Sequence, residues 1–467
     1  LYPIPVTFSM LPATNLNIPQ TQNTYMMKKT LLFFIPLLLA GFTAKGQDGQ
    51  IKFSEYDLSN GLHVILHQDH NTPNVIVSLM YHVGSKNEDP ERTGFAHLFE
   101  HLMFEGSEYI DRGEYFKIVQ SKGGELNAST SFDRTYYFEI MPANQLEIAL
   151  WMESERMLHG KVDTTGVNTQ KGVVIEERKQ TMDNQPYGTW LEEINKRLFT
   201  VHPYRWHVIG SPDHIRNSSF DDVYNFYKTY YVPNNCVLVI AGDFEENDAK
   251  AMVQKYFTDI PRGTNPINRP TVVEPPQKGE IRDVVYDKIQ LPAVFMAYRG
   301  AAMGTKDFYT LDLLTSILYG GKSARLKANL EDKGIALQSF ALNMEFEQPG
   351  PLFILGFANA GKTAEEVETA INTEVERLRD ELVSEDEFQM VKAAKEYEVA
   401  SSRTSLFTIA EEFANSYTYF QDADRINKQL EHYSTITRED LKNAAVTYFD
   451  KNNRVVLYYL PQSQENQ

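Results

Sequence analysis

The chain has 467 residues, 42% hydrophobic and 23% charged, with a net charge of −18; by length it is a globular protein of about three domains, or two large ones. The acidic balance excludes a general nucleic-acid binder, because no basic stripe exists to neutralise phosphates, and it suits cationic peptides as substrates. A single cysteine, Cys236, excludes an intramolecular disulfide and a thiolate metal cluster, so any metal must be held by His, Asp or Glu.

Residues 1–26 are polar, rich in Pro, Asn and Gln, and show no periodicity; they are expected to be a disordered or untranslated upstream extension. Residues 27–46 read as a signal peptide. Lys28 and Lys29 form its basic start, 31–40 its apolar centre, and Ala44 and Gly46 the small residues before a cut ahead of Gln47. The apolar stretch is too short to span a bilayer. With no cysteine beside the cut, a lipid anchor is not expected either. The expectation is therefore an exported protein, periplasmic in a Gram-negative cell, without a stable membrane anchor and with translation starting at Met26 or Met27.

The following chain opens with strand patterns at 51–58 and 62–68 around the turn Asn60-Gly61, which predicts a hairpin. A β-branched strand follows at 75–83, and then G-F-A-H-L-F-E-H-L-M-F-E-G-S at 94–107, an amphipathic helix. Further helices are predicted at 112–122, 144–158, 169–183 and 220–230, with strands at 125–130, 134–141 and 236–241; one more helix follows Pro186-Tyr187-Gly188. Cys236 falls in the last of these strands, as a small core residue. Five prolines between 261 and 277 forbid a continuous helix or central strand and mark a linker. Beyond it the element order restarts, with strands at 282–290 and 293–299, helices at 308–318 and 323–333, strands at 336–346 and 352–357, long helices, and a last strand at 454–460. The repeated order implies an internal duplication. The domains are thus 47–262, the linker 263–277, and the homologous 278–467. Registering Gly106 on Gly320 sets Leu311, Leu314 and Thr315 opposite His97, Glu100 and His101, so the second half is expected to lack a metal site.

His97 and His101 stand at i and i+4, one turn apart on one face of the 94–107 helix, where one divalent metal reaches both. Glu100 lies near that face as a proton-transfer group. Taken alone, this H-x-x-E-H fits either a metal site or a buried helix whose histidines are satisfied by neighbours. Catalytic zinc needs a third protein ligand, and the predicted helix 169–183 offers Glu176 and Glu177. They lie about 100° apart around the helix, so only one faces the metal comfortably.

These residues resemble the pitrilysin, or insulinase, metallopeptidases, whose zinc-binding Glu follows the H-x-x-E-H by about 76 residues. That spacing selects Glu177. The segments G-G-E-L-N-A-S-T (123–130), E-E-R-K-Q-T-M-D-N-Q-P-Y-G (176–188), H-P-Y (202–204) and G-G-K-S-A-R-L (320–326) also resemble family segments, in the same order. The resemblance extends from about 51 to 460 and points to the processing-peptidase branch and its bacterial relatives. It implies an α+β fold of two homologous α/β sandwich halves, each a mainly antiparallel sheet packed with helices, closing on each other like a clamshell. It further implies one Zn2+ per chain held by His97, His101 and Glu177. Zinc lowers the pKa of a water in the fourth position, and Glu100 acts as the base that passes its proton to the leaving nitrogen. Asn127, Ala128 and Thr130 would form a strand edge pairing with an extended peptide backbone.

One departure stands out. Family members carry L-R-x-x-x-G-L-A-Y in the second half, whose Arg and Tyr reach the substrate carbonyl. This chain has L-E-D-K-G-I-A-L at 330–337, with Leu337 in place of the Tyr and Glu331 or Leu330 in place of the Arg. Neither Glu nor Leu can stabilise an oxyanion. Either the chain works weakly without the pair, or a related second subunit (or a second copy) supplies it in trans; the latter is the expectation. Gln170 stands where many relatives carry a Glu. The contrasting function is a non-catalytic scaffold of the same fold. A serine hydrolase is excluded by the absence of a G-x-S-x-G elbow from the chain after residue 46.

Overall fold

Two sheets organise the computed structural model, which describes residues 50–462; the expected upstream extension and signal peptide lie outside the described residues. The first sheet contains β1 (Ser54–Asp57), β2 (His63–Gln68), β3 (Asn74–Tyr81), β4 (Glu125–Thr130), β5 (Thr135–Pro142) and β6 (Cys236–Gly242), ordered β1-β2-β6-β3-β5-β4. The second contains β7 (Ile281–Asp287), β8 (Ala293–Arg299), β9 (Ala336–Asn343), β10 (Pro351–Ala358) and β11 (Arg454–Pro461), ordered β7-β11-β8-β10-β9. With β1 set aside, the orders correspond strand for strand: β2 with β7, β6 with β11, β3 with β8, β5 with β10 and β4 with β9. The directions agree as well. β2 runs parallel to β6, and β7 parallel to β11, while the other neighbours are antiparallel. The duplication expected from element order is thus present in topology.

The first half carries helices α1 (Phe95–Leu102), α2 (Glu114–Ser121), α3 (Leu146–His159), α4 (Thr164–Arg178), α5 (Trp190–Leu198), α6 (Pro212–Asn217), α7 (Phe220–Tyr230) and α8 (Glu246–Phe257). The second carries α9 (Lys306–Tyr319), α10 (Ala364–Asp380), α11 (Glu385–Ser402), α12 (Leu406–Phe420), α13 (Arg425–Ser434) and α14 (Arg438–Tyr448). Residues 261–278, the proline-rich stretch, contain no helix or strand.

Several boundaries differ from the sequence pattern, for local reasons. The histidine helix stops at Leu102, not 107. Ser107 Oγ accepts the N–H groups of Tyr109 and Ile110 and donates to Glu155, which draws the chain into a turn instead of a further helical one. The pattern at 169–183 starts earlier, at Thr164, where Asp163 caps the Gly166 N–H; it ends in a wider turn at Lys179–Asp183. The helix expected at 323–333 contracts to a short segment around the wide turn Lys327–Glu331. The unexpected α8 buries Ala249, Val253 and Phe257, spaced four residues apart.

Most central strands are buried along nearly their whole length because both sheet faces are covered, each face by a different half. In the first sheet, Val64, Val77, Leu79 and Leu238 pack with helices of their own half, including Phe99 of α1 and Leu150 of α3. Its other face, with Ile65, Ile76, Met80 and Val239, packs with Ile409, Ala410 and Phe413 of α12. The second sheet repeats this in reverse. Phe295, Phe353, Leu457 and Tyr459 pack with Trp190, Ile194 and Leu198 of α5. Each half lends one helix to the other's sheet. Between the halves lies a cavity of about 1520 Å³, lined from both sides.

Candidate metal centre and active site

The metal-type cluster begins with the burial of α1. Leu98, Phe99 and Leu102 are fully packed in the core, so His97, Glu100 and His101 are held on a helix that cannot rotate. Beside it runs α4, whose Val174 is buried in the same core, and which brings Glu177 to the two histidines. His101 Nε2 lies 3.1 Å from Glu177 Oε2, and His97 Nε2 lies 3.8 Å from Glu177 Oε1. Among the described residues, His97, His101 and Glu177 form the one group of three whose candidate ligand atoms all lie within 4.8 Å of one another. Glu176 points elsewhere. It is exposed and pairs with Lys179, as expected for a residue turned 100° from its neighbour.

The chemistry of this set fits a divalent cation. His101 Nε2 and Glu177 Oε2 are buried and make no hydrogen bond, and leaving such groups unsatisfied costs about 1–3 kcal/mol each. A cation between two imidazoles and a carboxylate would satisfy them, and this donor set is a common one for catalytic zinc. Burial lowers the pKa of His97, against the pull of the Glu100 and Glu177 charges, and so favours the neutral, ligating imidazole. The Glu177 carboxyl is held below its ordinary range: burial opposes this, but the close approach of His101 and the charges of His97 and His101 outweigh it. His207, also in the cavity wall, is pushed down to about 3 by burial and by the charges of Arg178 and His97.

Glu100 is 5% exposed and opens onto the cavity. Its Oε2 accepts a hydrogen bond from Thr130 Oγ1 at 2.5 Å. Thr130 ends β4, the edge strand of the first sheet, and with Ser129 it reaches the cavity wall. Asn127 and Ala128 lie further back along the same strand. The Asn127 side chain accepts the Ala128 N–H at 2.9 Å, and Ala128 is buried. From the opposite side β9, the edge strand of the second sheet, contributes Leu337, Gln338 and Asn343 to the wall. Two sheet edges therefore border the same space.

Leu311, Leu314 and Thr315, set opposite His97, Glu100 and His101 by the sequence register, lie in α9 and are buried, the two leucines as part of the core. Leu337 lines the cavity and Leu330 is buried in the core. Glu331 Oε1 accepts the backbone N–H and the hydroxyl of Ser339, at 2.9 and 2.8 Å, so it serves β9 and not the cavity. Gln170 donates to Glu105 Oε1, and Arg112 pairs with the other oxygen of that carboxylate, linking α4 to the turn after α1. The tie between Thr130 and Glu100 was not foreseen in the sequence: a Thr on an edge strand carries no sign of which side chain it will meet 30 residues away.

Similarity to known proteins agrees with this architecture. The profile described as Insulinase (Peptidase family M16) matches residues 63–211, and the one described as Peptidase M16 inactive domain matches 217–395. The zinc protease PqqE of Helicobacter pylori is 29% identical over 442 residues, covering 94% of this chain and 99% of the relative. A probable mitochondrial-processing peptidase subunit beta of Arabidopsis thaliana is 24% identical over 332 residues, 69% of this chain and 62% of the relative. The crystal structure of a protease from Helicobacter pylori superposes with a TM-score of 0.84 at 29% identity, covering 88% of this chain and all of that one. A histidine-bearing first half and a core-filled second half, matched in succession by the two profiles, place this chain in the insulinase family of peptidases, family M16.

Proposed function

We propose that this chain is a zinc-dependent endopeptidase that hydrolyses extended peptides or unfolded protein segments. The observation that carries it is the convergence of His97, His101 and Glu177 in the wall of a cavity large enough for a peptide, with Glu100 beside them. A bound zinc ion would polarise the scissile carbonyl and acidify a water. Glu100 would take the proton at its carboxylate and return it to the leaving nitrogen, while Thr130 fixes the carboxylate's direction. The free edge of β4, with Asn127, Ala128 and Thr130, would pair with the substrate backbone and so read shape more than sequence. Zinc content and cleavage of a quenched peptide, with Glu100→Gln as control, test this reading. Zinc well below one per chain, or cleavage indifferent to Glu100→Gln, would overturn it and favour a non-catalytic scaffold.

The active form is a complex with a related second subunit that supplies an Arg and a Tyr to the substrate carbonyl. Supporting this, neither Leu337 nor Leu330 nor Glu331 can donate to an oxyanion. Assaying the chain with and without a homologue expressed beside it decides the matter: equal activity of the lone chain rejects the partner. Export to the periplasm is supported by the basic and apolar pattern of residues 27–46. A mature N-terminus at Gln47, read from the fractionated host, is the expected result.

A further inference from the structure

Glu88 is a buried carboxyl that the reaction does not use. It is 6% exposed, and its two oxygens are spent on the start of the histidine helix. Oε2 accepts the Gly94 N–H and Oε1 the Ala96 N–H, both at 2.9 Å. These are N–H groups that an α-helix leaves unpaired at its first turn. A third donor, Trp206 Nε1, reaches Oε2 at 3.2 Å and also the Ser85 carbonyl at 2.9 Å. Burial pushes this carboxyl up to about 8 despite those donors, so it is kept in place at a cost.

Trp206 opens a loop, residues 206–211, that leads into α6 and touches the second ligand-bearing helix, α4, on the way. Gly210 abuts Gly94 so closely that a Cβ on Gly210 would lie 2.3 Å from the Gly94 nitrogen. The Gly210 carbonyl accepts a hydrogen bond from Arg178 at 2.8 Å, and Arg178 is the neighbour of Glu177 on α4. The loop is further pinned by Ser211, whose N–H donates to Thr93 Oγ1 at 3.0 Å. A short path thus joins the two helices that carry the ligands: Ala96 and Gly94 to Glu88, Glu88 to Trp206, and Gly210 to Arg178.

We propose that Glu88 is the positioning residue of the metal centre. Its carboxyl fixes the first turn of α1 and, through Trp206 and the 206–211 loop, sets His97 and His101 against Glu177. The inference rests on reading those three residues as the metal ligands. The groups that hold ligands in place typically change metal affinity about 10- to 100-fold when removed.

The test uses the full chain loaded with zinc or cobalt. Zinc affinity is measured by chelator competition, the visible absorption of the Co2+ form reports the ligand geometry, and circular dichroism reports the fold. Glu88→Ala is expected to weaken zinc about tenfold and to shift the cobalt bands. Glu88→Gln, which keeps one acceptor oxygen, and Trp206→Phe, which removes only the indole donor, should fall between it and the parent. Glu368→Gln, at a buried carboxyl in the second half, should leave zinc affinity and the cobalt spectrum unchanged. Glu88 variants that are folded, bind zinc within twofold of the parent and keep its cobalt spectrum overturn the proposal. Should Glu88→Ala fail to fold, Glu88→Gln and Trp206→Phe decide by the same criterion. A parent chain that binds no zinc would overturn the functional reading itself, a different outcome from a parent that binds and variants that do not differ.

Discussion

Thr130 donates its hydroxyl to the carboxylate of Glu100 at 2.5 Å, joining the last residue of an edge strand to the acidic residue beside the two histidines of α1. The strand that borders the cavity and the carboxylate proposed as the base are therefore tied together. Thr130→Val should lower kcat about tenfold with little change in KM, as expected when a positioned proton carrier loses its orienting bond. Thr130→Ser should restore most of the rate, and steady-state kinetics on a quenched peptide separate the two parameters.

On the proposed reading, in which Glu100 moves protons and is not a metal ligand, Glu100→Gln should reduce kcat by about 10²–10⁴-fold while the protein still binds zinc. Glu177→Gln should instead lose the metal. Metal analysis alongside the peptide assay distinguishes the two. Loss of zinc in both variants would place Glu100 among the ligands.

The halves are held together beside the cavity by a small ionic cluster. Lys86 is buried between Asp133 of the first half and Glu347 of the second, and His82 reaches Glu347 at 2.8 Å. Burial raises the Glu347 pKa, but the bond from His82 and the charges of His82 and Lys86 outweigh it and bring the carboxyl down from 4.5 to about 2. A carboxyl with a depressed folded pKa adds stability that is complete above its unfolded value. That stability is lost as pH falls through the folded one. Unfolding measured between pH 5 and pH 2 should show this loss, and Glu347→Gln should flatten that part of the curve.

Exchange of α5 and α12 predicts that the halves unfold together. Trp190→Ala removes a side chain of the first half from the core of the second sheet and should cost about 3–5 kcal/mol. Calorimetry should show one transition moved to lower temperature. Two separated transitions, only one of them moved, would reject the interlock. Cutting the chain at the linker should leave residues 50–262 poorly soluble alone, because Ile65, Ile76 and Val239 lose the cover of Phe413 and Ile409.

Much of this was legible in the sequence because it depends on local spacing. Two histidines four residues apart on an apolar helix fix their common face whatever surrounds them, and five prolines forbid regular structure at 261–277 wherever the halves lie. That Leu311, Leu314 and Thr315 offer no imidazole or carboxylate is legible in the same way. The choice between Glu176 and Glu177 was less so. Composition allowed both, family spacing selected Glu177, and the distances agree because α4 turns that side chain, and not its neighbour, towards α1.

Tertiary structure alone decided what covers each face and what each polar group meets. The periodicity of β3 and β6 announces strands buried on both sides, but nothing in it says that the second cover is α12, more than 150 residues away in sequence. Likewise Glu88, Asp89 and Glu91 all precede the histidine helix, and any of them suits its positive end; only the packed position of Trp206 and the 206–211 loop places Glu88 against Gly94 and Ala96. The physical reason is the same in both cases. Side-chain spacing determines which surface a segment must hide or satisfy, whereas the partner that satisfies it is set by long-range packing.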